Sequence, residues 1–282
     1  MTVKQIILII TVACSLLILP VNAIAQNNVL PVPQRIVSIG LCTDQLLLMV
    51  ARRSQIASLT TSSTDQNMSY MAEAVGDIPL NSASVEEIIP YKPDLIIGSH
   101  FAARDTTRFL RQLGYQVKLV TLPRTVEEIY GMLIRFGEWT GNQARAAAII
   151  TRMKREITDI QARYAHRPEK STIIYSPNGY TIGSNTLEND VLKHAGFRNL
   201  SAEMGIVGFK KISLEQVIAA RPDFLQLDNH VYNRNSLASR YLGHPVLNKV
   251  VNEQDHLFIP SRIRACAGPM VTEAIGYMAA KR

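Results

Sequence analysis

Two stretches of the chain carry the same pattern: SVEEIIPYKPDLIIG at residues 84–98 and SLEQVIAARPDFLQL at residues 213–227. Ser, Glu, Ile, Pro and Asp coincide in the two stretches, and most of the remaining apolar positions match in kind. Because the copies lie in opposite halves of the chain, the pattern predicts one structural unit that is used twice, in two similar lobes.

Each copy has a local physical explanation. Ser84 and Ser213 stand at the N-cap position of a helix, and Glu87 and Gln216, three residues later, complete a capping box. The proline of each copy prevents the helix from continuing, and an apolar run follows it. We therefore expect a short capped helix, a proline stop and a buried strand in each lobe.

Strands and helices alternate around the first copy. Apolar runs predict strands at residues 35–40, 56–60, 95–98 and 116–120, and helical stretches at 43–53 and 104–113. This alternation is typical of parallel α/β construction. From Gln143 to Tyr164 nothing interrupts a helix, so one helix of about 30 Å is expected to join the lobes. The second lobe begins near Ser171, with its first strand at 172–176.

The N-terminus carries the pattern of a secretory signal. Lys4 precedes an apolar run at residues 6–19, Pro20 ends that run, and Ala23-Ile24-Ala25 offers a cleavage site. The sequence therefore predicts a signal peptide at residues 1–25, removed on export to the periplasm. A lipid anchor on Cys14 is disfavoured, because the cut would fall inside the apolar run.

Composition limits the class of protein. With 47% hydrophobic and 19% charged residues, the chain is neither disordered nor a polytopic membrane protein. The formal net charge is +7, but the sequence contains no run of five Lys or Arg residues. No nucleic-acid partner is therefore expected. Cleavage leaves Cys42 and Cys266, which an oxidising compartment favours as a pair. Alternatively, the two thiols contact ligand or metal.

The sequence lacks the motifs of common catalytic sites. It contains no GxSxG, HExxH, GxxxxGK or GxGxxG pattern and no CxxC pair, which moves the prediction from catalysis toward binding. His100 and His230 each follow the end of a predicted strand, where open α/β sheets bind ligands. Two isolated histidines without a carboxylate cluster do not predict a metal site.

Three features together carry a family resemblance. The first is the opening at residues 33–38, followed by Thr43-Asp44 and a Leu-rich helix, and the second is the duplicated pattern. The third is Tyr180-Thr-Ile-Gly183, followed by a helix and by Gly-Phe-Arg-Asn at 196–199. Over residues 31–282 the chain resembles the solute-binding proteins of ABC importers for vitamin B12, iron–siderophore complexes and haem.

The resemblance implies an architecture. The fold class is α/β, with two Rossmann-like lobes of mainly parallel sheets, joined by one long rigid α-helix, and a ligand cleft between the lobes. The expected boundaries are a signal peptide at 1–25, an N-terminal lobe at 26–141, a bridging helix at 142–168 and a C-terminal lobe at 169–282. A rigid bridge would permit only small closure of the cleft.

The resemblance also implies two docking residues and a set of cleft residues. A glutamate on each lobe of such proteins docks onto the permease, and Glu86 and Glu215 match by position in the repeat. The same glutamates would favour their helix N-termini through the macrodipole. The predicted ligand-binding residues are Cys42, Thr43, Asp44, Ser99, His100, Phe101, Tyr180, Phe209, Asn229, His230, Arg262 and Arg264.

The chain also departs from individual members of the family. Leu80 and Ser99 stand where the B12-binding proteins carry two tryptophans in the first lobe. The position of the tyrosine that binds haem iron falls near Asp65-Gln66, with Tyr70 nearby. Arg262 and Arg264 predict an anionic ligand, because guanidinium groups suit carboxylate, phosphate or siderophore oxygens.

These observations lead to one functional hypothesis with alternatives. The chain is expected to be a monomeric periplasmic component of an ABC importer, without catalytic residues or an intrinsic cofactor. It captures a bulky ferric siderophore or cobalamin-like chelate and delivers it to a permease with its ATPase. The alternatives are a haem-binding member of the same family, a ligand sensor that reports to a membrane partner, and a secreted two-lobed α/β enzyme.

Overall fold

Two β-sheets and the helices around them make up the protein. The computed structural model describes residues 31–101, 103–227, 242 and 247–282. Residues 32–282 form one unit. Within the described residues, no helix combines the length and the apolar character that are needed to cross a bilayer.

The first sheet is wholly parallel. Its strands are β1 (Ile36–Ser38), β2 (Ile56–Thr60), β3 (Leu80–Asn81), β4 (Leu95–Ser99) and β5 (Val117–Val120). They lie in the order β3-β2-β1-β4-β5, and β1 pairs in parallel with both β2 and β4. The predicted strand at 35–40 is shorter in the structure, because Gly40 is already the N-cap of the next helix.

The second sheet combines parallel and antiparallel pairs. Its strands are β6 (Lys170–Ser176), β7 (Tyr180–Ile182), β8 (Phe197–Asn199), β9 (Phe209–Lys211), β10 (Phe224–Leu227) and β11 (His256–Leu257). The order is β11-β10-β6-β7-β9, and β8 pairs with β6. The parallel pairs surround β6 and β10, whereas β7 runs antiparallel to β6 and to β9. Strand β7 runs antiparallel to β6 because the chain reverses within Pro177–Gly179.

Helices follow the strands in both lobes. They are α1 (Leu41–Val50), α2 (Val85–Ile88), α3 (Arg104–Gln112), α4 (Val126–Thr140), α5 (Gln143–Tyr164), α6 (Leu187–His194), α7 (Leu200–Glu203), α8 (Leu214–Ala220), α9 (Leu247–Val250), α10 (Ser261–Arg264) and α11 (Val271–Lys281). The predicted helix at 43–53 ends at Val50, since Arg53–Gln55 form a separate 3-10 turn.

The long connecting helix is confirmed. Helix α5 spans 22 residues, which corresponds to about 33 Å at 1.5 Å per residue. Gly141, at φ +69°, separates it from α4 in the left-handed conformation that glycine adopts without steric cost. One face of α5, with Ile149, Met153 and Ile157, is buried.

The duplicated pattern has the same geometry in both lobes. The hydroxyl oxygen of Ser84 accepts a hydrogen bond from the backbone N–H of Glu87 (3.4 Å), and that of Ser213 accepts one from Gln216 (3.3 Å). Only the second copy closes the capping box, with Ser213 N–H donating to Gln216 Oε1. In the first copy, Glu87 accepts from Ser82 N–H instead, because the chain turns at a positive φ between the two serines.

The aspartate of each copy clamps the start of the central strand beside it. Asp94 accepts hydrogen bonds from the backbone N–H groups of Gln34 (2.7 Å) and Arg35 (3.0 Å), directly before β1. Asp223 accepts from the backbone N–H of Ser171 (2.7 Å), at the same place in the second sheet. The repeat is therefore a structural unit that joins a helix, a proline stop and a pair of parallel strands.

Three apolar clusters explain how the lobes are connected. Val37 and Ile96 belong to a cluster on one face of the first sheet, and Ile173 and Leu225 to a cluster in the second lobe. The third and largest cluster runs through both lobes and includes buried residues of α1, α4, α5, α6 and α11. The helices behind the two sheets therefore share one core, which favours a nearly fixed angle between the lobes.

Candidate ligand-binding site

A hollow lies at the carboxyl ends of the strands of the first sheet. It has a volume of about 470 Å³. We call it the strand-end hollow; its lining includes Gly40, Thr60, Thr61, Ser62, Ser82 and Ala83. In open α/β sheets, ligands bind outside the carboxyl ends of the strands. Its position and its hydroxyl groups make the strand-end hollow a candidate ligand site.

Thr43 and Asp44 lie close to this hollow but do not reach its surface. Thr43 is 1% exposed, and its hydroxyl lies 2.7 Å from that of Ser38 and 2.8 Å from the carbonyl oxygen of Gly40. Asp44 is 0% exposed and accepts hydrogen bonds from the backbone N–H and hydroxyl of Thr60. Both side chains thus join the start of α1 to β1 and β2, and their predicted contact with ligand stays a prediction.

Burial also changes the acidity of Asp44. It raises the pKa of this carboxyl group from 3.8 to about 6, although the hydrogen bonds from Ser38 and Thr60 act in the opposite direction. The carboxyl group is therefore only partly ionised in mildly acidic solution.

Ser99, His100 and Phe101 follow β4 directly. Ser99 and His100 line a second hollow of about 490 Å³. We call it the arginine hollow, because Arg104, Arg108 and Arg111 of α3 also line it. Phe101 is exposed and is not part of its lining. The predicted contacts of Ser99, His100 and Phe101 with ligand stay predictions.

The three arginines occupy positions i, i+4 and i+7 and therefore share one face of α3. Arg104 donates to the carbonyl oxygen of His100 (3.2 Å), and Arg111 donates to that of Val117 (3.2 Å). Arg108 pairs with Asp105 at 2.8 Å. One acid accompanies three guanidinium groups, so this hollow attracts anions. Sequence reasoning missed these arginines, although their helical spacing could have indicated them.

Tyr180 and Phe209 lie on neighbouring antiparallel strands of the second lobe. Tyr180 is opposite Lys211, and Phe209 is opposite Ile182, so the two aromatic residues are diagonal neighbours on one face. Tyr180 is 41% exposed and Phe209 is 63% exposed. Lys211 Nζ lies 5.5 Å from the centre of the Tyr180 ring. The two rings form an accessible aromatic surface, and their contact with ligand stays a prediction.

Arg262 lies in a groove along the long helix rather than in either hollow. This helix groove has a volume of about 1270 Å³ and is lined by α1, α5, α10, α11 and the segment around Tyr70. Two ion pairs lie in this groove: Arg262 is 3.7 Å from Glu273, and Arg152 is 3.7 Å from Glu156. Glu156 also accepts a hydrogen bond from the Thr272 hydroxyl (2.8 Å). Burial, followed by the charge of Glu273, raises the pKa of Tyr70.

The helix groove is larger than the hollows, but the chemistry favours the hollows. A ligand in the groove would compete with internal ion pairs, and the groove runs beside helices rather than at strand ends. Arg264 lines a small cavity of about 30 Å³ in the second lobe, together with Leu187 and Gln226. The structure thus places the two predicted arginines apart, and their contact with ligand stays a prediction.

The predicted disulfide is confirmed. Cys42 on α1 and Cys266 before α11 form a disulfide bond, with their Cα atoms 5.2 Å apart. The bond joins α1 in the first lobe to the segment before α11, 224 residues further along the chain. The alternative of two free thiols that contact ligand or metal is wrong, because both sulfur atoms are in the bond. This also removes the Cys42 thiol as a ligand-binding group.

The two predicted docking glutamates lie on the surface of the protein. Glu86 and Glu215 are exposed, each in the first turn of its helix. The hydrogen bond from the Ser213 hydroxyl lowers the pKa of Glu215, so its carboxylate stays charged. Their docking role stays a prediction. Asn229 and His230 lie outside the described residues, as do the signal peptide at 1–25 and Cys14.

A parallel sheet in the first lobe, a mixed sheet in the second, a long helix between them and candidate ligand hollows at strand ends are typical of two-lobed solute-binding proteins. Residues 36–250 match the family model described as periplasmic binding protein. The chain belongs to this family, whose members bind solutes for ABC transporters outside the cytoplasm.

Curated relatives share part of their length with this chain. An uncharacterised ABC transporter substrate-binding lipoprotein, YvrC of Bacillus subtilis, is 27% identical over 200 residues, 68% of this chain and 62% of the relative. A cobalamin-binding protein of Halobacterium salinarum is 22% identical over 194 residues, 68% of this chain and 53% of the relative. The chain thus aligns with less than two thirds of either relative.

Solved structures show the same fold. The periplasmic haem-binding protein RhuT of Roseiflexus sp. RS-1 has a TM-score of 0.73 at 20% identity, covering 88% of this chain and 97% of that one. The vitamin B12-binding protein BtuF of Vibrio cholerae has a TM-score of 0.65 at 17% identity, covering 89% and 97%. At these identities the likeness concerns the fold alone.

Proposed function

We propose that this protein is the solute-binding component of an ABC importer. It is exported by a signal peptide at residues 1–25 without a lipid on Cys14, and it binds a bulky anionic metal chelate. It then delivers the chelate to a permease that works with an ATPase. In this proposal the protein is a monomer and performs no catalysis.

One observation carries the proposal: the duplicated turn presents one exposed glutamate, Glu86 or Glu215, at the same place in each lobe. Both side chains are in the first turn of a short helix, where the macrodipole favours a negative charge. Glu86 and Glu215 form an acidic pair, one on each lobe, and the angle between the lobes is nearly fixed. Such a pair suits a partner that offers two basic contacts. We assign this pair to the permease and the hollows at the strand ends to the ligand.

The ligand class follows from the residues around the hollows. Hydroxyl groups line the strand-end hollow, and the arginine hollow also borders helix α3. Guanidinium groups bind carboxylate and hydroxamate-type oxygens through paired hydrogen bonds. Tyr180 and Phe209 add flat apolar surfaces that suit a macrocycle or a catecholate. We propose a ferric siderophore or a cobalamin-like compound as the cargo.

The proposed division of the chain follows the two sheets. The N-terminal lobe comprises residues 26–141, the bridging segment 142–168 and the C-terminal lobe 169–282. Each lobe contains one copy of the duplicated turn, and α5 lies within the bridging segment. This arrangement supports the proposed cleft between the lobes.

Two matched variants test where the ligand binds. Ser62→Trp fills the strand-end hollow, whereas Ala148→Trp fills the helix groove; both positions are exposed. Wild type and variants are titrated with cyanocobalamin, haemin, and ferric hydroxamate and catecholate complexes. We expect Ser62→Trp to weaken binding of the preferred chelate at least about tenfold, since about 1.4 kcal/mol corresponds to tenfold.

The Ala148→Trp variant distinguishes the helix groove from the strand-end hollow as the ligand site. Weaker binding in Ala148→Trp with unchanged binding in Ser62→Trp would place the ligand in the helix groove. Preference for haemin would support the haem-binding alternative within the same family. A wild-type protein that binds none of these chelates would contradict the proposed cargo.

A charge-reversal experiment tests docking. We expect Glu86→Lys with Glu215→Lys to abolish chelate uptake by cells while chelate affinity stays at the wild-type value. Glu138→Lys with Glu169→Lys is the matched control, because it reverses two exposed glutamates outside the duplicated turns. Reduced chelate affinity in the first pair, or equal uptake by both pairs, would disprove the docking assignment.

A further inference from the structure

A group of metal-binding side chains lies where helix α4 of the first lobe meets helix α6 of the second. Glu127, Asp190 and His194 each offer one ligand atom, and these atoms all lie within 4.8 Å of one another. None of these residues lines the hollows or the helix groove. The group is therefore separate from the proposed chelate site.

Backbone and side-chain contacts hold two of the three residues in place. Asp190 and His194 stand one turn apart on α6, with Asp190 Oδ2 3.6 Å from His194 Nε2. The backbone N–H of Val126, at the start of α4, donates to the same Asp190 oxygen (2.9 Å). The Asp190 and His194 side chains are 21% and 24% exposed, so both are largely shielded from water.

Gln161 of the connecting helix orients the imidazole. Its side-chain amide lies 3.2 Å from His194 Nδ1, on the far side of the ring from the carboxylates. An imidazole that binds metal through Nε2 carries its proton on Nδ1, and the Gln161 amide oxygen then accepts it after a 180° turn of the amide. The contact would thus keep the Nε2 lone pair directed toward Asp190.

Glu127 supplies the third ligand atom from the other lobe. It is exposed, and among the residues that the structure describes it makes no hydrogen bond or ion pair. Its neighbour Glu128 is occupied at the helix N-terminus, where it accepts from the backbone N–H of Arg124 (2.7 Å). Glu127 is therefore available to close the site across the junction of the two lobes.

We propose that Glu127, Asp190 and His194 form a binding site for a divalent transition-metal ion such as Zn²⁺. One imidazole nitrogen and two carboxylate oxygens are ligands that Zn²⁺, Co²⁺ and Ni²⁺ accept, with water in the remaining positions. The bound ion joins α4 to α6, at a place separate from the Cys42–Cys266 disulfide. It acts as a second clasp between the lobes and is distinct from any metal in the transported chelate.

The test uses tag-free full-length protein that has been stripped with EDTA. Co²⁺ is added while visible d–d absorption is recorded, and Zn²⁺ is then added as a competitor. We expect one equivalent of Co²⁺ to bind and Zn²⁺ to displace it. His194→Gln and Glu127→Gln should each weaken Co²⁺ binding at least about tenfold, and Gln161→Ala should weaken it about tenfold.

The matched control is His166→Gln, which removes an exposed histidine elsewhere and should bind Co²⁺ like the wild type. Zn²⁺ should also raise the melting temperature of the wild type and of His166→Gln, but not that of His194→Gln. Wild-type protein that binds no Co²⁺, or His194→Gln and Glu127→Gln variants that keep wild-type affinity, would overturn the proposal. Because Glu127 is exposed, its variant keeps the test decisive if His194→Gln folds poorly.

Discussion

Asp44, Asp94 and Asp223 show how one residue type takes different roles according to its surroundings. Asp44 is buried and its hydrogen-bond partners are the neutral groups of Ser38 and Thr60, so burial raises its pKa to about 6. For Asp223, burial raises the pKa, but hydrogen bonds from Ser171 and the charge of Lys170 outweigh it and hold the pKa below its ordinary value. The sequence identified the position of each aspartate but not its degree of burial.

The raised pKa of Asp44 predicts a pH effect on stability. The folded protein holds this proton between pH 3.8 and about 6, whereas the unfolded chain releases it. The proton on Asp44 therefore stabilises the folded protein fully below the pKa of the unfolded chain. This stabilisation is lost as the pH rises through the pKa of the folded protein. Asp44→Asn should remove this pH dependence, which amounts to about 2 kcal/mol of unfolding free energy between pH 4.5 and pH 7.5.

Urea unfolding of wild type and Asp44→Asn at pH 4.5 and pH 7.5 measures this difference. Other carboxyl groups affect both proteins equally, so the change between the two pH values is compared rather than the absolute free energy. The same change in both proteins would contradict the proposed role of burial.

The Ser-x-Glu and Pro-Asp pattern is the element that sequence analysis predicted best. Caps, proline stops and strands depend on contacts a few residues apart, which a single sequence displays. The predicted strands and helix α5 therefore agree closely with the structure. The antiparallel β7 and β9 were not predicted, because their pairing depends on a turn at Pro177–Gly179 and on residues far apart in the chain.

We expect the loss of either clamping aspartate, Asp94 or Asp223, to lower the free energy of unfolding by a similar amount. Asp223→Ala removes the acceptor of hydrogen bonds from the Ser171 N–H and hydroxyl (both 2.7 Å), and Asp94→Ala removes the acceptor for Gln34 and Arg35. Since bonds to charged groups contribute about 1.5–3 kcal/mol, each variant should lower the free energy of unfolding by about 2–3 kcal/mol.

Asp105→Ala serves as the control for this pair. Asp105 is exposed and, within the described part of the chain, its one ion pair is the exposed pair with Arg108, so its removal should cost less than about 0.5 kcal/mol. Urea unfolding measures all three variants. A cost for Asp94→Ala or Asp223→Ala as small as that of Asp105→Ala would disprove the clamp.

At the scale of the whole protein, the helices behind the sheets hold the two lobes together. One apolar cluster runs through both lobes, and α5 and the Cys42–Cys266 bond connect them further. The sequence indicated the long helix and the cysteine pair. It did not indicate the shared core or the position of Arg262 in the helix groove, because both depend on how distant helices pack.

The disulfide predicts a large effect on stability. It closes a loop of 224 residues, and a long loop loses much conformational freedom in the unfolded chain when it is closed. Cys42→Ser with Cys266→Ser should lower the free energy of unfolding by about 2–5 kcal/mol. Denaturant unfolding measures the loss, and wild type treated with reductant should match the variant. Equal stability of oxidised wild type and variant would contradict a bond between the lobes.

The central claim is that the two lobes carry a bulky metal chelate to a permease. Native mass spectrometry with visible absorption, on protein isolated from cells grown with the preferred chelate, tests it most directly. The account predicts a 1:1 complex with the mass and the absorption bands of a metal chelate, and loss of that complex in Ser62→Trp. An empty protein, or a complex with a sugar, an amino acid or a peptide, would contradict it.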